Sequence, residues 1–270
     1  MTLILNWLNK EDPKNLWIWT VADTKISNEG NTLTLEGSKI LELPVRCKNL
    51  SVTQQIYYEA KLTYAFAGSS LTGLNIYCTL YSILTNLGGM NNSCFPDYQS
   101  ILLKAQTIFN KYYEVIQSPT EILISGFCPK TREAFQGRIF VEKDQGSYKS
   151  KVEVKKFDSD KLTFEILGDK KEEITSELIS RLEKIEEKNI NYWRMPQTLI
   201  KDIIRDQRYE SIGGNIQLSI NNINAFHLMA IVEPKIEGQP AATMKFRNLD
   251  LYEDIGTFVG DCSVSINGMV

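Results

Sequence analysis

The chain is 270 residues long, 43% hydrophobic and 23% charged, with a formal net charge of −3. That composition belongs to a globular protein with a sizeable core, in one domain or one domain with a small appendage, and excludes a disordered chain. The near-neutral charge gives no electrostatic reason to expect a nucleic-acid or acidic-membrane partner. No apolar run is long enough to span a bilayer. The first residues, MTLILNWLNKEDPKN, hold neither a basic leader nor a long apolar stretch before a small-residue cleavage site, so no signal peptide is expected. Five cysteines (Cys47, Cys78, Cys94, Cys128 and Cys262) are widely spaced without a C-x-x-C pair, the pattern of reduced thiols in a cytoplasmic protein. With His227 as the only histidine, no metal site and no cofactor are expected.

In chain order, Leu3 to Trp7 and Trp17 to Ala22 are β-prone runs on either side of the turn-rich N-K-E-D-P-K-N, which predicts a hairpin. N-E-G-N at Asn28 to Asn31 is a second turn signal. Thr32 to Leu35 and Ile40 to Val45 alternate as a further pair of strands, and Arg46 to Tyr58 reads as a loop or insertion. Lys61 to Gly68 is a strand ending in glycine. The apolar run behind it predicts a helix capped by Ser69 or Ser70 and sandwiched between layers. Gly88 to Pro96 is a loop, and Asp97 caps an amphipathic helix to Gln117. Glu121 to Phe127, Ala134 to Glu142 and Lys151 to Ile166 are strands, the last two joined by D-Q-G-S. Lys170 to Lys188 is a charged helix, and Met195 to Arg208 another with Pro196 near its start. After Gly213 and Gly214, the runs Asn215 to Asn221 and Ala225 to Val232 are strands, followed by strand-like Thr243 to Leu249 and Thr257 to Ile266. Blocks of strands and blocks of helices argue against a doubly wound parallel sheet. They predict an α+β fold with two antiparallel sheets face to face and helix pairs outside.

Several motifs in this order resemble the proteasome β-subunit family of N-terminal-nucleophile hydrolases, which includes the bacterial ATP-dependent two-component peptidase. They are Thr2, A-D-T-K at Ala22 to Lys25, G-S-K-I at Gly37 to Ile40, A-F-A-G-S-S-L-T-G-L at Ala65 to Leu74, I-S-G-F-C-P-K-T at Ile124 to Thr131, I-L-G-D-K-K-E-E at Ile166 to Glu173, and G-G-N-I at Gly213. Asp23 and Lys39 keep the family's sixteen-residue separation. The resemblance covers about residues 2–232 and implies a four-layer αββα sandwich. It implies a domain over residues 1–233 and leaves 234–270 as a C-terminal extension that packs on the domain or serves assembly. The chain departs from the family where Asp169 stands in place of a serine before the third helix. It departs again where Asp206 and Ser211 precede Gly213 at an unusual spacing; these three are the possible supporting residues.

The chemistry implied is amide hydrolysis through an acyl-threonine. Removal of Met1 would leave Thr2 with a hydroxyl and a free α-amine, whose reference pKa of about 7.7–8.0 suits a general base acting on its own Oγ. A buried Lys39 would hold that amine neutral, and Asp23 would neutralise and orient Lys39. Gly68, at a strand-to-helix junction, is the candidate oxyanion donor. The expected partners are a peptide or unfolded-protein substrate, further copies in a homo-oligomeric ring, and a dedicated ATP-dependent unfoldase. The alternative is a proteasome-fold subunit without catalysis, acting as a scaffold or binding module; a third reading is an amidase acting on a small metabolite. Plainer roles accompany each residue: Asp23 as a turn former, Lys39 as a solvated strand residue, Gly68 as a turn glycine, Asp206 as a helix-surface charge. His227 is a satisfied strand histidine with no G-x-S-x-G to serve, Cys78 a core residue, and Lys170 to Lys188 a solvated face.

Overall fold

The computed structural model describes residues 2–28, 30–51, 55–144, 147–157, 161–235 and 242–269. Strands β1 (Leu3–Asn9) and β2 (Trp17–Asp23) form the expected hairpin, in register from Ile4 opposite Ala22 to Asn9 opposite Trp17. In the connection, Asp12 Oδ1 accepts from the Lys14 N–H at 3.0 Å, an Asx-type turn. A small hairpin follows, β3 (Ile26–Asn28) with β4 (Asn31–Thr34). Strand β5 (Ile40–Asn49) pairs along its length with β6 (Ile56–Gly68). Helix α1 (Ser70–Leu84) leads through β7 (Leu87–Gly89) to α2 (Tyr98–Ile116). Next come β8 (Thr120–Phe127), β9 (Ala134–Asp144), β10 (Ser147–Lys156) and β11 (Phe164–Gly168). Helices α3 (Lys171–Leu182) and α4 (Ile190–Arg205) precede β12 (Ile216–Asn221) and β13 (Phe226–Glu233). The tail adds β14 (Thr243–Phe246), β15 (Leu249–Asp250), one π-helical turn (Leu251–Ile255), and three two-residue strands, β16 (Phe258–Val259), β17 (Cys262–Ser263) and β18 (Gly268–Met269).

Two sheets result, in the orders β11-β1-β2-β12-β13-β14-β15, with β18 added beside β13, and β10-β9-β8-β6-β5-β7. Pairing is antiparallel except where β7 meets β5 and β18 meets β13. Alternation along β1 shows how the layers arise. Leu3, Leu5 and Trp7 pack on Ile174, Leu178, Leu199, Ile200 and Ile203 of α3 and α4. Ile4, on the other face, meets Ile40, Ala65 and Leu123 between the sheets. On the far side, Leu62, Tyr64, Ile122 and Ile124 pack on Ile76 and Leu80 of α1 and Leu102, Ala105 and Phe109 of α2. The chain is a four-layer αββα sandwich.

Between the sheets the apolar contacts share space with a buried polar seam. Asn6 Oδ1 accepts from Thr20 Oγ1 at 2.7 Å and from Ser125 Oγ at 2.8 Å, while its Nδ2 donates to Gln136 Oε1 at 2.8 Å. These bonds hold polar groups in a place where an unpaired one would cost about 1–3 kcal/mol, although the Gln136 Nε2 has no partner among the described residues.

Several expectations change. Arg46 to Tyr58 is not a loop: the described part continues β5 and β6 as one long hairpin, whose strand residues are mostly half-buried, with Cys47 buried and Ile56 exposed, and whose sequence lacks a regular apolar–polar alternation. The strands at Thr32 to Leu35 and Ile40 to Val45 do not pair with each other, since β4 joins β3 and β5 joins β6. Lys151 to Ile166 splits into β10 and β11, which belong to different sheets. Helix α1 is an outer layer with Leu71 and Leu74 exposed, so its second apolar face is uncovered in the monomer, and Cys78 is exposed on it. Pro196 lies inside α4, because Asn189 caps the helix earlier by accepting from the Asn191 N–H at 2.9 Å. Caps at Ser69 and Asp97 form as expected. The turns at Asn28 to Asn31 and Asp144 to Ser147 include Glu29, Gln145 and Gly146, which lie outside the described residues.

Candidate active site

Four chain segments end at one edge of the sandwich. Thr2 and Lys39 immediately precede β1 and β5, and Asp23 and Gly68 close β2 and β6. Asp23 is 0% exposed and Lys39 1% exposed, with Lys39 Nζ 2.8 Å from Asp23 Oδ1. The same oxygen accepts from the Leu3 N–H at 3.0 Å, the peptide that joins Leu3 to Thr2. Asp23 Oδ2 accepts from the N–H groups of Gly213 at 3.1 Å and Lys25 at 3.3 Å. Four donors thus hold this carboxylate, the condition under which a buried charge is tolerated. Burial pushes the Lys39 ammonium below an ordinary lysine, and the charge and hydrogen bond of Asp23 work against that shift.

Thr2 is 5% exposed, and its carbonyl accepts from the Asp169 N–H at 2.9 Å. The close approach needs glycine at 168: φ is +94°, and a Cβ there would lie 1.7 Å from the Thr2 carbonyl oxygen. Gly68 has φ of +101°, and a Cβ on it would stand 2.1 Å from the Pro119 carbonyl oxygen. Its strand partner is Thr120, and Ser69 behind it caps α1.

The supporting residues are divided by the fold. The Asp169 backbone stands against Thr2. Ser211 lies in the turn two residues before Gly213, whose N–H reaches Asp23. Asp206 is not brought to the site: it follows α4 at the surface, bonded to Arg205 Nε at 2.9 Å and Arg208 Nη2 at 3.3 Å, and those two cations hold its carboxyl below the usual range. His227 sits on β13 with its ring centroid 6.4 Å from that of Trp17. All five cysteines are free.

Gln217 is a member of the site that its motifs do not announce. Its Oε1 accepts from the N–H groups of Lys39 at 3.1 Å and Ile40 at 3.2 Å, and its Nε2 donates to the Gly37 carbonyl. It therefore clamps the Gly37–Ile40 segment that delivers Lys39. Thr24 acts beside it, its Oγ1 accepting from the Asn215 N–H at 2.7 Å. The available signal is β12 itself, I-Q-L-S-I-N, which puts Gln217, Ser219 and Asn221 on one face, all buried. A buried polar face points to interior hydrogen bonding, which Gln217 and the Asn221 Nδ2 make, while Ser219 Oγ and Asn221 Oδ1 have no partner among the described residues.

Among solved structures, the chain is similar to Anbu (ancestral beta-subunit) from Yersinia bercovieri, with a TM-score of 0.52 at 12% identity, over 81% of this chain and 80% of that one. The fold is proteasome-like. A second likeness, to the Anbu (Gly-1) mutant from Hyphomicrobium sp. strain MC1, has a TM-score of 0.53 at 11% identity and covers 84% of this chain and 88% of that one. No family model and no curated protein sequence matches the chain. On this proteasome-like scaffold, the buried Asp23–Lys39 pair stands one peptide bond away from Thr2, just ahead of β1.

Proposed function

We propose that the chain is a proteasome-like threonine peptidase, cutting peptide bonds through an acyl-threonine on Thr2. The observation that carries this is Asp23 Oδ1, which binds Lys39 Nζ and the Leu3 N–H at once and so holds a buried ion pair against the residue that would be the nucleophile. With Met1 removed, the Thr2 amine takes the proton of its own Oγ and passes it to the leaving amine. Lys39 keeps that amine neutral between turns, and Asp23 keeps Lys39 in place. The Gly68 N–H is assigned to the oxyanion. Short or unfolded peptides are the substrates, and the protein works in the cytoplasm.

Residues 1–233 form the hydrolase domain in this proposal, and 234–270 an extension that packs on it through β14 and β18 beside β13. A homo-oligomeric ring is supported by α1, which exposes Leu71 at 64% and Leu74 at 38%, an apolar strip with no cover in the monomer. An ATP-dependent unfoldase is the partner such a ring would need for folded substrates.

Intact mass of the purified protein, read with hydrolysis of fluorogenic peptides by wild type and Thr2→Ala, tests the proposal. Loss of one methionine and hydrolysis that Thr2→Ala abolishes are expected. A mature protein that leaves peptides untouched would overturn the peptidase and favour the scaffold, whose supporting observation is the 5% exposure of Thr2. Turnover of small amides alone would favour the amidase.

A further inference from the structure

A cavity lies at the other end of the sandwich, away from Thr2. It measures about 610 Å³, within the range of small-molecule sites. Its floor includes Leu8 near the end of β1 and Phe135 near the start of β9, exposed by 5% and 2%. Leu8 is six residues along β1 from Thr2, about 20 Å at strand rise, so this cavity is separate from the candidate active site. Tyr98 stacks on Phe135 with centroids 5.2 Å apart and planes at 22°, giving one wall a flat aromatic face. Leu16 and Val154, exposed by 37% and 40%, extend the apolar surface to the mouth.

Arg132 and Lys156 share this lining with one carboxylate, Glu133. Among the described residues, neither Arg132 nor Lys156 forms an ion pair. Arg132 instead lies over the Tyr58 ring, 5.6 Å from its centroid, and reaches the Tyr58 hydroxyl from Nη1 at 3.4 Å. The Glu133 carboxylate accepts a long hydrogen bond, 3.4 Å from Thr131 Oγ1. An apolar floor below two cations without a carboxylate partner among the described residues, Arg132 and Lys156, suits a ligand that is apolar at one end and anionic at the other. Burial of the tail supplies affinity, and the cations fix its orientation.

We propose that this cavity binds a small amphipathic organic anion, a carboxylate carried on an aromatic or medium-chain aliphatic body. The site is independent of the proposed hydrolysis. The test titrates the full chain with anilinonaphthalene sulfonate, an aromatic anion that fluoresces in apolar surroundings, and then competes with octanoate, octylammonium, and a peptide ending in apolar residues. Saturable fluorescence displaced by octanoate and not by octylammonium is expected. Arg132→Asn with Lys156→Gln should weaken probe binding at least tenfold at unchanged melting temperature; asparagine suits position 132, where φ is +64°. Leu16→Glu, at the exposed rim, should weaken it as well without touching the floor. Equal displacement by octylammonium, unchanged binding in the charge variants, or displacement by the peptide alone would each overturn the proposal; the last would make the cavity a docking point for a polypeptide C-terminus.

Discussion

Asp23→Asn tests the central ion pair most directly. The change keeps the side chain's shape and removes its charge where the carboxylate is 0% exposed and the ammonium 1%. The amide oxygen can still accept from Leu3 or Lys39. The amide nitrogen would then oppose the N–H groups of Gly213 and Lys25, donors that Asp23 Oδ2 now satisfies. Lys39 is left as an unpaired buried cation or loses its proton. Breaking one side of such a pair costs about 3–5 kcal/mol. At about 2–4 °C per kcal/mol for a chain of this size class, melting should fall by roughly 6–20 °C. Urea denaturation and calorimetry measure this. The companion Asp23→Asn/Lys39→Met removes the orphaned charge and keeps the lysine stem's bulk, so it should be more stable than Asp23→Asn alone. A loss below about 1 kcal/mol for Asp23→Asn, or single-variant losses that simply add in the double variant, would refute a coupled buried pair.

Other outcomes follow from the same geometry. Lys39 has a folded pKa below its ordinary 10.5, so just under that pH the unfolded chain binds more protons than the folded one. Stability should therefore rise with pH across that window and lose that contribution as pH falls through the folded value. Urea midpoints against pH should show the rise in wild type and lack it in Lys39→Met. Gly168→Ala should cost several kcal/mol, on the order of 3 or more, because β11 must move off the Thr2 carbonyl; wild-type urea midpoints would contradict this. Gln217→Leu strands the Lys39 and Ile40 N–H groups at about 1–3 kcal/mol each, and proposed peptidase activity should fall more than stability does. Thr2→Ala should abolish peptide hydrolysis and leave the melting temperature within a few degrees.

Asp23 and Lys39 were legible in the sequence because each sits inside a short, locally folded signature, a strand-end turn and a strand start. The capping residues Ser69 and Asp97 were legible for the same reason, since a cap is a contact over three residues. Gln217 was hidden, because its partners lie 177 to 180 residues away and nothing local distinguishes a clamping glutamine from a solvated one. The β5–β6 extension was hidden because its run of polar and half-buried residues has no regular apolar period to read. Asp206 was a supporting candidate only at an unusual spacing ahead of Gly213; it ends on a surface turn beside Arg205 and Arg208, which matches its plainer reading as a surface charge.

The seam around Asn6 carries a consequence for how the site keeps its dimensions. Asp23 belongs to a strand of one sheet and Thr2 to a lead-in of that sheet, Gly68 to a strand of the other, and Lys39 to a lead-in of the other. Apolar faces alone permit small translations, because one methyl group packs much like the next. Asn6 admits only one alignment, since its three bonds reach Thr20 on its own sheet and both Ser125 and Gln136 across the gap. It works as a dowel between two plates, and the tolerance of the Thr2 site is set there, four residues along β1 and out of reach of any substrate.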